Sequence, residues 1–407
     1  MLKKTANYWL PILVIALLVG GALLSLRLTE KYPTWDEFAP RWTAARLWLR
    51  QGVSPYSDQT HQETLNILSD YNLKASPQTQ GYFTDLAFYL YFFLPFSLIS
   101  FPVARAIWMT LVAASIVVSV YVSIDLAGLK LSVLAKLLFC LLVLAWYPSI
   151  RLILSANPLP PFILMVLAAC VQAVKRKGTS AGVFFFLAAG MIPLSLLLVV
   201  FFTIWYATRR DNSLLSIYLV GIGFLLLSSL ILFQNWLAEW FARLIALTQG
   251  LEWIDTPLMR LGALLPGAAN QLSLILHVVV FIYLLVEWYG IPSLDTRGLL
   301  WKLMLTINLL YLFNMSSEIA FLILLLPALF TFFRYLMEKW QLFGKIIVWI
   351  AFIALILFYW SKSQPQSQWL FKEPSSIVLM LPAVTLIGLQ WFRWWATKSP
   401  LARIKNQ

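Results

Sequence analysis

Long apolar runs separated by short polar turns make up most of the chain. The first runs from about Trp9 to Leu26 after the basic start MLKK, and others begin near Pro102, Leu131, Pro160, Ser213, Leu272, Leu299, Ile319, Gly344 and Ser375. Apolar runs of about 20 residues match the thickness of a bilayer core, where only helices and closed barrels satisfy their backbone. The pattern predicts an all-α polytopic membrane protein, with roughly 10–13 transmembrane helices in one integral membrane domain over residues 1–407. The first run has the charged head of a signal peptide. Its apolar stretch is too long and no small-residue cleavage site follows, so a retained helix is expected. Residues 181–206 are too many for one crossing, and Pro193 interrupts them, which predicts a hairpin of two short helices.

The polar positions orient this array. The chain is 61% hydrophobic, 12% charged and carries a net charge of +13. If Asp85–Phe101 is a partial, protein-covered insertion, every basic cluster falls on one side. The N-terminus, the turns near 125–136, 175–177, 209–211, 287–302 and 334–345, and the tail from Arg393 then hold 18 Lys/Arg against 5 Asp/Glu. The remaining segments hold 12 of each. The whole excess lies on one face, as the positive-inside bias requires, and both termini are expected in the cytoplasm of a cell (inner) membrane protein. The basic residues are scattered turn anchors beside Trp and Phe, so nucleic acid is not an expected partner; membrane lipids are. Cys140 and Cys170 lie in apolar helices and imply no disulfide framework.

Two extracytoplasmic segments are long, 27–84 and 235–270, and both are rich in aromatic residues. In PRWTAARLWLRQG the i,i+4 pair Arg46 and Arg50, with Trp42, Ala45, Trp48 and Leu49 around it, suits an interfacial helix closed by Gly52. NWLAEWFARLIALTQG repeats the idea, with Trp236, Trp240, Phe241, Leu244 and Leu247 on one side and Gly250 at its end.

Ionisable groups at membrane depth are costly and rank first as candidates for chemistry. Asp36 and Glu37, flanked by Trp35 and Phe38, follow shortly after the first helix. Two roles fit Asp36: a general base in partly apolar surroundings, or a cap on the helix that follows. Asp85 opens DLAFYLYFFLP, and Glu318 stands in FNMSSEIAFLILLLP; each fits either a substrate contact or a helix cap. Arg105, Arg151 and Arg260 are cations that could meet a lipid phosphate, or snorkel to the interface. His61 and His277 have no metal-ligand spacing, so no metal and no cofactor is expected. GxSxG, P-loop and GxGxxG motifs are missing from the sequence.

The stretch WDEFAPRWTAARLWLRQGVSPY, an acid followed by an aromatic and then x-A-A-R-x-x-L-x-x-G-x-x-P-Y, resembles the first outer loop of GT-C glycosyltransferases. The nearest branch is glycosyltransferase family 87, the polyprenol-phosphate-mannose-dependent α-mannosyltransferases and related arabinofuranosyltransferases. FTDLAFYLYFFLPFSLISFPVARAIW, SANPLPPFILMVL, AGVFFFLAAGMIP, GAANQLSL and FNMSSEIAFLILLLP resemble later family segments. Three positions depart from the pattern. Ile192 stands where the family has Lys before Pro, Ala156-Asn157-Pro158-Leu159 replaces G-Q-x-N, and Trp-x-His is missing near Glu318. The resemblance implies a divergent GT-C-like bundle. Its expected activity is inverting sugar transfer, mannose or another hexose or pentose, from a polyprenyl-phosphate donor to a lipid-linked or envelope glycan acceptor at the outer face. It implies Asp36 as general base, with Glu37, Asp85, Arg151, Arg260, Asn270 and Glu318 as substrate-binding residues. A protein that binds or flips a polyprenyl glycolipid on the same scaffold is the non-enzymatic alternative. A transporter fits less well, because the single Pro-broken hairpin has no second counterpart.

Overall fold

Where the chain is described, its apolar runs are helices and its polar turns carry the breaks. The computed structural model describes residues 19–25, 27, 35–76, 79–188, 192–207, 211–248, 256–262, 269–291, 295–313, 319–362 and 375–393. Glu318 lies outside these residues. Four helical segments are long and apolar enough to cross a membrane: Phe101–Ala127, Ser213–Leu232, Asn270–Trp288 and Phe321–Lys362. A fifth candidate is the pair Val133–Leu144 and Tyr147–Leu154, bent by 62°. Shorter apolar helices include Leu159–Val174 and Ile377–Trp391. The protein is an all-α polytopic membrane protein.

The breaks follow local chemistry. The hairpin expected around Pro193 is present as helices Gly178–Leu187 and Ile192–Tyr206. Residues 85–101 contain no crossing-length helix, but a 3-10 segment, Ala87–Phe92, and one α-turn, Leu94–Ser97, with Ala87 to Leu90 and Phe93 buried. Pro95 sits in the first turn, where its missing N–H costs no hydrogen bond. Near Gln341 (φ 46°, ψ −112°) the long segment Leu326–Lys362 is two helices meeting at a kink. A Cβ at Gly344 would overlap the Leu336 carbonyl, so the kink needs glycine there.

The described residues form two compact units. The larger draws on Ile116–Pro148, Phe162–Gly223 and Glu252–Gln407. In it, helix Thr296–Phe313 is buried almost all round, as a helix apolar on every face should be. Tyr311 and Tyr359 donate their hydroxyls to the Val378 and Ile377 carbonyls, each at 2.9 Å, which ties in the last helix.

The other unit draws on Met1–Ser115, Ser149–Pro161 and Phe224–Leu251. Phe38, Phe93, Phe96, Phe101 and Trp108 form an aromatic core beneath the loop of residues 35–84. A two-residue parallel strand pair, Trp35–Asp36 with Lys74–Ala75, fixes the start of that loop. Helix Ala39–Gln51 follows and ends on Gly52 in the left-handed region (φ +66°). Ala39 to Ala45 and Leu47 of this helix are buried in protein, while Leu49, Arg50 and Gln51 at its end are exposed. Its polar side chains turn inward because acceptors meet them. Trp42 Nε1 donates to the Phe96 carbonyl at 2.9 Å and Arg46 Nη1 to that of Ser97 at 3.1 Å.

Helix Trp236–Thr248 does expose an apolar stripe, but not the expected one. Leu237, Phe241 and Ile245 are 39%, 55% and 52% exposed at i,i+4,i+8 spacing, whereas Trp236 is 1% exposed and Trp240 is half-buried. The two Trp rings serve protein packing, and aliphatic and Phe side chains take the outward face.

Candidate active site

The site grows from the extended backbone at Trp35–Glu37. Extended residues send successive side chains to opposite sides, so the adjacent acids diverge. Asp36 turns inward and is 0% exposed. Its Oδ1 accepts the Ala39 N–H at 2.6 Å, one of the free donors at the start of helix Ala39–Gln51. Its Oδ2 pairs with Arg105 Nε. Arg105, 2% exposed on helix Phe101–Ala127, also donates Nη1 to Met109 Sδ at 3.2 Å and Nη2 to the Leu154 carbonyl at 2.7 Å. The capping role for Asp36 is therefore observed, joined to a buried ion pair. Arg105, read in sequence as a cation for phosphate, is the partner of Asp36.

Glu37 turns the other way and is half-buried. Its main chain is held at both ends: its N–H donates to the Ser155 carbonyl at 3.0 Å, and its carbonyl accepts from Arg41 Nη1. Its Oε2 accepts Asn157 Nδ2 at 2.7 Å, and Oε1 accepts no hydrogen bond from the described residues. Asn157, 3% exposed, uses its Oδ1 to accept the Leu159 N–H at 2.9 Å, so one amide both caps helix Leu159–Val174 and holds Glu37. Burial pushes the Glu37 carboxyl above the usual carboxylate range; Arg41, the Asn157 hydrogen bond and Arg151 pull it back, and Asp36 adds to the rise.

Arg41 and Asp85 form a second ion pair: Nη2 donates to Oδ1 at 3.1 Å, and Nε lies 2.8 Å from Oδ2. Burial disfavours the Arg41 charge, but Asp85, Tyr89 and Glu37 outweigh it and hold its pKa above the ordinary value. Asp85 is thus an ion-pair partner, and Leu86 rather than Asp85 stands at the N-cap of the 3-10 segment. Arg151 stacks over the Trp35 ring at 4.4 Å and is close enough to Glu37 to act on its charge.

Helix Trp236–Thr248 reaches this site from later in the chain. Trp240 Nε1 donates to the Thr84 carbonyl at 2.9 Å, Arg243 Nη2 to the Tyr56 carbonyl at 2.7 Å, and Ser54 Oγ to Glu239. Tyr56 in turn donates its hydroxyl to the Asp85 carbonyl at 2.7 Å. Asp36, Glu37, Asp85 and Arg151 are therefore brought together in one unit. Arg260, buried on helix Pro257–Gly262, and Asn270, exposed at the start of helix Ala269–Trp288, belong to the other. Sequence reasoning missed Asn157 and Arg41. An Asn-Pro ahead of an apolar helix is a local signal that would find the first as a cap, but nothing local marks the carboxylate that it holds.

The fold and this cluster define an integral membrane protein that holds Asp36, Glu37 and Asp85 with several cations in an ordered loop assembly. Residues 84–315 match the family model of glycosyltransferase family 87, more than half of the chain. The chain belongs to that family and is a membrane glycosyltransferase. Asp85, Arg151, Asn157, Arg260 and Asn270 lie within the match, and Asp36 and Glu37 lie ahead of it. No curated protein and no solved structure matches the chain.

Proposed function

We propose that the protein transfers a sugar, mannose or another hexose or pentose, from a polyprenyl-phosphate donor to a lipid-linked or envelope glycan acceptor. The reaction takes place on the extracytoplasmic face of the cell (inner) membrane. The observation carrying this reading is the divergent Asp36–Glu37 pair beside Arg151 and Trp35, in a loop assembly rooted in apolar helices. In an inverting displacement the acceptor oxygen attacks the anomeric carbon and the bond to the phosphate oxygen breaks. A carboxylate of the Asp36–Glu37 pair takes the hydroxyl proton. Arg151 is the cation of this unit suited to the leaving phosphate, whose charge grows as the bond breaks. Arg260, Asn270 and Glu318 stand as further substrate contacts implied by the family resemblance.

The test is transfer of labelled sugar in membranes supplied with candidate polyprenyl-phosphate sugars. The wild type is compared with the double variant Asp36→Asn/Glu37→Gln. Transfer by the wild type and a loss of about 100-fold or more in the double variant are expected for removal of a general base. Equal transfer by both would sink the carboxylate reading. Transfer from a nucleotide sugar alone would sink the lipid donor.

A further inference from the structure

We infer that Glu37 takes the acceptor's proton, that Asn157 is the residue positioning it, and that Asp36 is a structural partner of Arg105. This rests on the transfer proposed above and divides the labour within the carboxylate pair.

A general base has to reach the proton it removes, by a hydrogen bond or through one water. Asp36 does not meet that condition. It is 0% exposed, one oxygen is taken by the Ala39 N–H and the other by Arg105. A hydroxyl arriving at Asp36 would have to displace a buried guanidinium that is also bonded to Leu154 and Met109. Glu37 meets it. Its side chain is half-buried, and its Oε1 is unclaimed by the described residues. Its backbone is clamped between Ser155 and Arg41, so the carboxylate sits on a fixed stem and a single amide sets its orientation. Arg151, the cation assigned to the leaving phosphate, acts on the charge of Glu37. A donor phosphate bound there would place its sugar near Glu37.

The step balances with the groups named. The acceptor O–H proton passes to Glu37, the acceptor oxygen bonds to the anomeric carbon, and the bonding pair of the breaking C–O bond leaves with the lipid phosphate. Glu37 then returns its proton to solvent. Burial makes this carboxylate a stronger proton acceptor than an exposed one, and the Asn157 hydrogen bond moderates the effect.

The experiment uses the full-length protein in membranes, with a polyprenyl-phosphate sugar as donor. Glu37→Gln should lose about 100-fold or more in kcat with donor KM within about threefold. Asp36→Asn should unfold at lower temperature, as expected for a buried residue that pairs with Arg105. Asn157→Ala removes the bond that favours the ionised form, so the acid limb of its pH–rate profile should move to higher pH. A merely structural Asn157 would lower the rate at every pH and leave the limb in place.

A second readout does not depend on turnover. A hydrophobic carbodiimide reacts with protonated, accessible carboxyl groups, and mass spectrometry of the labelled protein should find the adduct on Glu37 and not on Asp36. Wild-type-like transfer by Glu37→Gln overturns the assignment, and so does labelling of Asp36 in place of Glu37. Absence of transfer by the wild type, with Glu37 still the labelled acid, overturns the lipid donor and not the division between the acids.

Discussion

Asp36 and Arg105 show how a charge is kept inside an apolar unit. Taking two ions out of water costs more than a single hydrogen bond returns, so such a pair survives where every donor and acceptor is used. Here the guanidinium reaches Asp36, Met109 and Leu154 together. Asp36→Ala should therefore destabilise the protein by about 3–5 kcal/mol, because it leaves a buried cation without its counterion. The double change Asp36→Leu/Arg105→Met should recover most of that loss in thermal unfolding of the detergent-solubilised protein. Glu37 carries the opposite signature. Its folded-state pKa is raised, so its contribution to stability is present below the ordinary carboxylate range and is lost as pH rises through the folded value. Glu37→Gln should consequently gain stability relative to wild type as the pH is raised, measured as the difference between their unfolding temperatures. His61 stacks on Tyr82 at 3.6 Å, and Arg243 lies over the same ring at 4.1 Å. Burial and then Arg243 depress the His61 pKa, against a weaker opposing pull from the Gly81 backbone and Asp58. Stability from this contact is present at neutral pH and falls as the pH drops through the folded value. His61→Phe should remove that dependence.

Among the elements, helix Trp236–Thr248 does more than expose an apolar stripe. Through Trp240, Arg243 and Glu239 it holds the Thr84 and Tyr56 carbonyls and the Ser54 hydroxyl. Trp240→Phe keeps the ring and loses one hydrogen bond, worth about 1 kcal/mol. Hydrogen exchange should then quicken at residues 84–92, with little change in helix Phe101–Ala127. Gly52 gives a cleaner measure of backbone cost. A Cβ there meets nothing within 4 Å, so Gly52→Ala should cost about 1–2 kcal/mol, from the left-handed backbone alone. Much of this level was legible in sequence because it depends on local signals. Pro193 broke the hairpin, Gly52 ended a helix, and the distribution of basic clusters made Asp85–Phe101 a partial insertion. What escaped was pairing across sequence distance. Arg105 reads as an interfacial cation until Asp36 is placed beside it, and Asn157 reads as a turn residue until Glu37 arrives. Periodicity likewise grouped Trp236 and Trp240 with Phe241, because helical spacing defines a face and leaves open which of two apolar faces meets protein.

For the whole molecule, the asymmetry of charge makes the strongest statement. Eighteen of the 30 Lys and Arg residues lie in the segments assigned to the cytoplasm, with 5 of the 17 acids. In a background lacking Cys140 and Cys170, cysteines placed at Gln62, Lys177 and Lys339, all exposed, test the orientation. A membrane-impermeant thiol reagent applied to spheroplasts should label the first, and the other two only after the membrane is opened. The opposite pattern would invert the assigned faces.

The bonds of Arg105 also impose an order on biosynthesis. The arginine enters with helix Phe101–Ala127, but its Leu154 acceptor is 49 residues further along the chain. Chains emerge from the ribosome N-terminus first, and an arginine without partners is costly within a membrane. The loop that carries the two acids therefore cannot close when its own residues have been made. It waits for residues 149–157, which bring the Leu154 carbonyl for Arg105 and Asn157 for Glu37. A nascent chain halted before that segment would be inserted but unfinished, and the loop carrying Asp36 and Glu37 should stay open to protease until synthesis resumes.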